Sequence, residues 1–177
     1  MNTHTVETDV AVRRPRVSEY LELTKPRITA LVLVTTLVGF YMGSGPALNS
    51  LLLMHAIVGT ALVAGGASAL NQYLERDYDA KMVRTKERPL PDRRIPAGEA
   101  LIFAVTISLG GVGYLLIFTN ILTGALATLT LLLYAFVYTP LKTRTASAVL
   151  VGAGPGAIPP MLGWTASSGS LDGMAWA

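Results

Sequence analysis

Five apolar segments, each near the roughly 20 residues that a bilayer core requires, dominate this sequence. They lie at about Lys25–Met42, Leu51–Leu70, Ala100–Phe118, Ile121–Tyr138 and Ser147–Trp164. Glycines and prolines interrupt the last segment, which predicts a broken or closely packed helix there. Apolar residues make up 51% of the chain and charged residues only 14%, a membrane composition. We therefore expect an all-α, polytopic transmembrane helix bundle with about five membrane helices.

The basic residues indicate how the helices are oriented. All 14 Lys and Arg residues lie before or at the start of the first segment, between Arg76 and Arg94, or at Lys142 and Arg144. The connections at 43–50 and 119–120 carry no charge. By the positive-inside rule, the N-terminus and both basic loops are cytoplasmic in a multi-pass protein of the cell inner (cytoplasmic) membrane. The net charge of +3 reflects this topology, and no interleaving of aromatic and basic residues indicates nucleic-acid binding.

The domain boundary is expected near the start of the first apolar segment. Residues 1–23 form a polar cytoplasmic tail in which Val17–Leu23 is predicted to be a short interfacial helix. Residues 24–177 form the membrane domain, in contact with the lipid bilayer. The chain contains no cysteine, which excludes disulfides, iron–sulfur clusters and thiolate zinc sites.

A charged stretch directly follows the second apolar segment. Asn71, Glu75 and Asp79 recur every four residues, so a helix places them on one face. Asp77 falls on another face, where a solvated charge is the simpler interpretation. Ionised groups at a membrane helix are costly unless they face a cavity that contains something positive. Two carboxylates with an amide predict a Mg²⁺ site that bridges to a phosphate group.

Basic residues follow this acidic face and predict an anion site. Arg84, Lys86 and Arg88 surround Thr85 in the same loop. Arginine grips phosphate oxygens in pairs, and lysine acts as a point charge. The alternative is that these residues only provide the positive-inside signal, which needs charge but no particular order. Lys142 and Arg144 reach the same side of the membrane and are further candidates for binding the anion.

These motifs resemble the UbiA-like intramembrane prenyltransferase superfamily. The resemblance rests on Asn71-x3-Glu75-x3-Asp79 followed by residues 82–91 (MVRTKERPLP). Within it, three features resemble the protoheme IX farnesyltransferases, also called haem O synthases. They are the first apolar segment with Thr24-Lys25-Pro26-Arg27, a neutral Gln72 where quinone-pathway relatives have an acid, and residues 138–164.

The resemblance implies an Mg²⁺-dependent prenyltransferase that moves the farnesyl group of farnesyl diphosphate to a vinyl group of haem b. Asn71, Glu75 and Asp79 would be its catalytic, metal-binding residues. The diphosphate would be bound by Arg84, Lys86, Arg88, Lys142 and Arg144. Haem b would be a substrate, and haem A synthase or assembly factors of terminal oxidases are the implied protein partners.

Two other functions stay open on the sequence alone. A quinone-pathway aromatic prenyltransferase is the nearer alternative, and Gln72 argues against it. A non-enzymatic membrane protein such as half of a transporter would place polar groups near the bilayer midplane. The resemblance also implies about nine membrane helices and a second acidic motif. We therefore expect this chain to hold the N-terminal part of the domain and to be inactive alone.

Overall fold

Six helices form the regular structure of the described residues, which are 15–142, 145 and 148–173 of the computed structural model. No strand occurs in these ranges, so the all-α prediction is confirmed. The helices are α1 Arg16–Leu23, α2 Pro26–Gly43, α3 Ser50–Asp79, α4 Ala97–Phe118, α5 Ile121–Leu141 and α6 Ala148–Ser168.

Helices α2 to α5 are long and apolar enough to cross a membrane. They correspond to the first four apolar segments, and the chain is an integral membrane protein. Helix α3 is the longest at 30 residues, or about 45 Å, against a hydrocarbon core of about 30 Å. Its last turns, which carry the Asn71–Asp79 face, therefore extend beyond the apolar part of the helix.

The fifth apolar segment forms helix α6, and the break predicted within it is absent. The helix is continuous over 21 residues although it contains Pro155, Pro159 and Pro160. Close packing against α2 accompanies the prolines, as the alternative prediction stated. A Cβ atom on Gly163 would lie 1.9 Å from the backbone oxygen of Thr36, so only glycine allows this approach.

Helix α1 is fixed to the loop between α3 and α4. Arg94 of that loop forms ion pairs with Glu19 of α1 and, at 2.9 Å, with Asp92. The hydroxyl of Tyr20 donates a hydrogen bond to Glu99 Oε2 at the start of α4, over 3.0 Å. The helix predicted for Val17–Leu23 is thus present, and it is attached to the α3–α4 loop and to the start of α4.

The end of α5 departs from regular α-helix. Leu133–Tyr138 is a π-helical stretch, followed by one α-helical turn at Thr139–Leu141. Pro140 lies in that last turn and has no N–H to donate. The hydroxyl of Thr139 instead donates to the carbonyl of Tyr134, five residues earlier, over 2.8 Å. Such π-helical turns are frequent at functional sites, and this one lies directly before Thr139 and Lys142.

Candidate active site

The last three turns of α3 bring Asn71, Glu75 and Asp79 to one buried face. Their exposed fractions are 1%, 5% and 5%. Asp77, between them in sequence, has a side chain that is 80% exposed and pairs with Arg76 at 3.8 Å. The helical periodicity therefore separates one solvated acid from a buried set of one amide and two carboxylates.

Each member of this buried set contacts a base from a different part of the chain. Lys25 Nζ donates a hydrogen bond to Asn71 Oδ1 over 2.9 Å. Arg88 Nη1 donates to Asp79 Oδ2 over 2.6 Å. Lys142 Nζ lies 2.6 Å from Glu75 Oε1, an ion pair without the alignment of a hydrogen bond. We call Asn71, Glu75 and Asp79, together with these three bases, the charge cluster.

The turn between α1 and α2 positions Lys25. Its backbone is left-handed, with φ of 48°, which is uncommon for a residue with a side chain. Gln72, the next residue after Asn71 on α3, donates from Nε2 to the carbonyls of Glu22 and Leu23, over 3.2 and 2.9 Å. Two consecutive residues of α3 thus fix the turn: Gln72 binds its backbone carbonyls, and Asn71 binds the side chain of Lys25.

Two threonines position the rest of the charge cluster. Thr139 Oγ1 accepts a hydrogen bond from Asn71 Nδ2 over 3.1 Å, which fixes the amide and ties α3 to the end of α5. The buried hydroxyl of Thr85 donates to the backbone oxygen of Asp79 over 3.0 Å. This bond satisfies a carbonyl at the C-terminus of α3 and folds the loop back so that Arg88 reaches the carboxylate.

A cavity of about 1030 Å³ opens in front of the charge cluster. The predicted residues that line it are Glu75, Asp79, Arg84, Arg88 and Lys142, whereas the predicted Asn71 is not part of its described lining. The other lining residues are Ser18, Leu21, Glu22, Lys25, Pro26, Arg27, Ile28, Gln72, Tyr78 and Met82.

Two of the bases predicted to bind an anion are not part of this described lining. Lys86 is exposed and lies outside the lining of the cavity, so the structure does not bring it to the carboxylates. Arg144 lies outside the described residues.

The cavity changes the ionisation of Lys25. Burial, the largest cause, and the positive charges of Arg88 and Lys142 together lower the pKa of its ammonium group to about 8. Glu75 and Asp79 act in the opposite direction and offset part of the shift. Near neutral pH the lysine is thus charged but held in an unfavourable environment, which an additional anion would improve.

The donor set fits a hard divalent cation in part. Glu75 and Asp79 supply carboxylate oxygens, and Asn71 supplies an amide oxygen. Gln72 also lines the cavity, and its buried Oε1 has no hydrogen-bond partner in the described part of the chain. Within those ranges no group of three His, Cys, Asp or Glu side chains converges. The set matches a Mg²⁺ ion that completes its shell with water and phosphate oxygens.

A second, mainly apolar cavity of about 380 Å³ lies among α2, α3, α5 and α6. Ile28 lines both cavities, so they are neighbours. The walls of the second one include Val32, Val63, Ala67 and Leu131, with Tyr134 and Tyr138 from the π-helical stretch. Its composition suits an extended hydrocarbon chain.

Sequence reasoning missed Lys25, Gln72 and Thr139 as parts of this site. Lys25 was assigned only to the family-like first segment, and Gln72 only to the distinction between subfamilies. Each meets its partner across 46 or more residues of sequence, so helical periodicity cannot reveal the contact. A signal was present for Lys25, because a lysine directly before a helix-starting proline has to lie at the membrane edge.

Comparison with known proteins gives a family and a fold. The model of the UbiA prenyltransferase family matches residues 32–177. The protoheme IX farnesyltransferase of Solibacter usitatus is 45% identical over 167 residues, covering 89% of this chain and 57% of that protein. The enzyme of the same name from Anaeromyxobacter dehalogenans is 42% identical, covering 95% of this chain and 58% of its own length. The chain thus spans about half the length of these curated relatives.

Solved structures share the helical arrangement at low sequence identity. A UbiA homologue from Archaeoglobus fulgidus, bound to DMAPP and Mg²⁺, superposes with a TM-score of 0.74 at 18% identity, covering 86% of this chain and 55% of that one. A digeranylgeranylglyceryl phosphate synthase gives a TM-score of 0.76 at 18% identity, covering 84% and 52%. At this identity the likeness establishes the fold alone.

Proposed function

The chain belongs to the UbiA prenyltransferase family, and we propose that it carries the prenyl diphosphate site of a protoheme IX farnesyltransferase. In that reaction C1 of farnesyl diphosphate is joined to a vinyl group of haem b, and water completes the hydroxyethylfarnesyl substituent of haem O. The observation that carries the proposal is the charge cluster beside an apolar cavity. The charge cluster would bind a charged headgroup, and the apolar cavity would bind a prenyl tail.

The residues of the charge cluster would share the work at the diphosphate. Asn71, Glu75 and Asp79 would hold Mg²⁺, which when bound neutralises the diphosphate and makes it a better leaving group. Arg88 and Lys142 would bind the phosphate oxygens that face them. Arg84 lines the cavity and is available to the outer phosphate. Their fixed positions would stabilise negative charge as it develops on the leaving group.

The apolar cavity would hold the farnesyl chain. Because Ile28 borders both cavities, C1 would lie near this residue, with the diphosphate on one side and the tail on the other. The tail would be enclosed by aliphatic side chains of α2, α3 and α5. Removal of water from this region would limit hydrolysis of an allylic cation.

Gln72 supports haem b as acceptor over a quinone-pathway aromatic acid. Its amide nitrogen donates to two carbonyl oxygens of the α1–α2 turn. An ionised acid at this position has no proton to donate and would instead repel both carbonyls. The local structure is therefore built for a neutral side chain, which is the feature that separates the two subfamilies in the sequence.

We place the charge cluster on the cytoplasmic side of the inner membrane. The basic residues that line the cavity belong to the segments that the positive-inside rule assigns to that side. Farnesyl diphosphate would then reach the headgroup site from the cytoplasm and the tail site from within the bilayer.

Binding experiments on the detergent-solubilised chain test the proposal. Calorimetric titration with farnesyl diphosphate should show binding with Mg²⁺ present and much weaker binding with EDTA. Haem b should change its Soret absorbance on addition of the chain, and excess 4-hydroxybenzoate should not reverse the change. Absence of Mg²⁺-dependent binding would refute the diphosphate site. Competition by 4-hydroxybenzoate would favour the quinone-pathway alternative.

A further inference from the structure

The carboxylate and amide oxygens of the charge cluster are already paired with bases of the chain itself. Every oxygen-bearing group that a metal would use, on Asn71, Glu75 and Asp79, contacts a base at 2.6 to 2.9 Å. These bases come from the α1–α2 turn, the α3–α4 loop and the end of α5. A metal ion that used these three oxygen atoms would compete with the bases for them.

We propose that Lys25, Arg88 and Lys142 act as stand-in cations, which leave these oxygens for the diphosphate when Mg²⁺ enters. The inference rests on the proposed function and adds two statements to it. Lys25 is a further diphosphate-binding base beside Arg84, Arg88 and Lys142, and the three stand-in bases compete with Mg²⁺ until the diphosphate binds. Mg²⁺ alone would displace the three bases without providing an anion for them. The diphosphate alone would draw the bases away and leave the two carboxylates without a cation.

The charges explain the coupling. Three bases and two carboxylates leave one excess positive charge in the charge cluster. A divalent metal alone would triple this excess in a partly buried site, where like charges repel strongly. A prenyl diphosphate carries about three negative charges near neutral pH, so the metal and diphosphate together restore the balance. Since coupling free energy is reciprocal, each ligand strengthens the binding of the other.

Lys25 differs from the other two bases because its partner is neutral. Asn71 is an amide, so Lys25 gains a hydrogen bond there but no charge pair. Its backbone is held in the left-handed region, and Gln72 holds the turn in place. A left-handed backbone at a residue with a side chain persists only where surrounding contacts enforce it, and such residues are common at functional sites. The geometry thus presents a lysine at the cavity before any anion is bound.

Replacing Lys142 or Lys25 by methionine, an apolar side chain of similar length, tests whether the base competes with the metal ion or only stabilises the site. Mn²⁺ serves as the metal probe, with its binding followed by electron paramagnetic resonance in the absence of diphosphate. Farnesyl diphosphate binding with Mg²⁺ is followed by calorimetry. In Lys142→Met and Lys25→Met the affinity for Mn²⁺ alone should rise about tenfold, because the competing cation is gone. The affinity for farnesyl diphosphate with Mg²⁺ should fall about tenfold in the same variants.

A matched control and a second variant keep the outcome clear. Lys81→Met removes one positive charge from the α3–α4 loop, which also carries Arg88, at an exposed position that does not line the cavity, and both affinities should stay within about twofold. If Lys142→Met leaves Glu75 unpaired and fails to fold, Lys25→Met decides the question, because Asn71 carries no charge. Size-exclusion chromatography establishes folding.

If the bases are stand-in cations, their removal has to raise the affinity for Mn²⁺ and lower the affinity for farnesyl diphosphate. If Mn²⁺ and farnesyl diphosphate affinities fall together, the bases support the site without competing for it, and the inference is wrong. An unchanged Mn²⁺ affinity would refute it as well. If the unmodified chain shows no Mg²⁺-dependent binding of farnesyl diphosphate, the proposed function itself fails. The two failures are therefore distinguishable.

Discussion

Replacement of Asp79 by alanine is the most direct perturbation of the proposed metal site. The Asp79 side chain is 7% exposed and accepts a hydrogen bond from Arg88 at 2.6 Å. Asp79→Ala removes one carboxylate and the partner of the Arg88 side chain, which is itself only 23% exposed. It removes few apolar contacts, so the main effect should be electrostatic.

The structure sets the expected magnitude. Truncation of one member of a buried, hydrogen-bonded charge pair costs about 2–4 kcal/mol in binding. This corresponds to a dissociation constant for farnesyl diphosphate with Mg²⁺ that is about 30- to 1000-fold higher. The free energy of unfolding should fall less, by about 1–2 kcal/mol, because Arg88 borders a cavity and keeps access to water.

Asp77→Ala is the matched control, two residues away on the same helix. The Asp77 side chain is 80% exposed, and its 3.8 Å contact with Arg76 is a surface ion pair. We expect its farnesyl diphosphate affinity to change by less than about twofold. The assay is calorimetric titration of both variants in detergent, with thermal unfolding measured alongside. Equal loss of affinity in the two variants would mean that the buried face does not bind the ligand, and the metal assignment would be refuted.

Two further predictions concern packing and the prenyl tail. Gly163→Ala places a Cβ 1.9 Å from the Thr36 backbone oxygen, so it should cost about 1–3 kcal/mol of stability. A Cβ at Gly154 of the same helix meets nothing within 4 Å. Gly154→Ala should therefore keep the thermal midpoint or raise it slightly, and equal midpoints in the two variants would contradict the packing argument. Ala67→Phe should fill the apolar cavity and weaken farnesyl diphosphate binding about tenfold while it spares dimethylallyl diphosphate. Equal weakening of both ligands, measured by calorimetry, would show that the tail lies elsewhere.

Those parts of the structure that depend on one helix at a time could be predicted from the sequence. Hydropathy found the four spanning helices, because a bilayer imposes length and apolar composition on each of them separately. The spacing of Asn71, Glu75 and Asp79 placed them on one face and Asp77 on another, and the structure shows this arrangement. Both inferences need only the geometry of a single helix.

Contacts between segments could not be predicted in the same way. Helix α6 is continuous and packs on α2, which accepts Gly163 at backbone distance. The prolines of α6 predicted a break because each of them removes a backbone hydrogen bond. Neighbouring helices can satisfy the backbone groups that this leaves, but a local sequence pattern does not show them. The pairing of Lys25 with Asn71 likewise depends on how the α1–α2 turn meets α3. Neither residue carries a spacing signal that points to the other.

In the basic loops, the number of positive charges and their positions serve different purposes. Every lysine or arginine of the α3–α4 loop adds to the positive-inside signal, yet the structure uses them differently. Arg88 reaches Asp79, Arg94 fixes helix α1 through Glu19, and Lys86 stays exposed outside the cavity. Orientation in the membrane needs only their number. The charge cluster needs particular positions, because buried carboxylates require a cation within contact distance. The same residues therefore meet a topological and a chemical requirement, and only the second constrains their order along the chain.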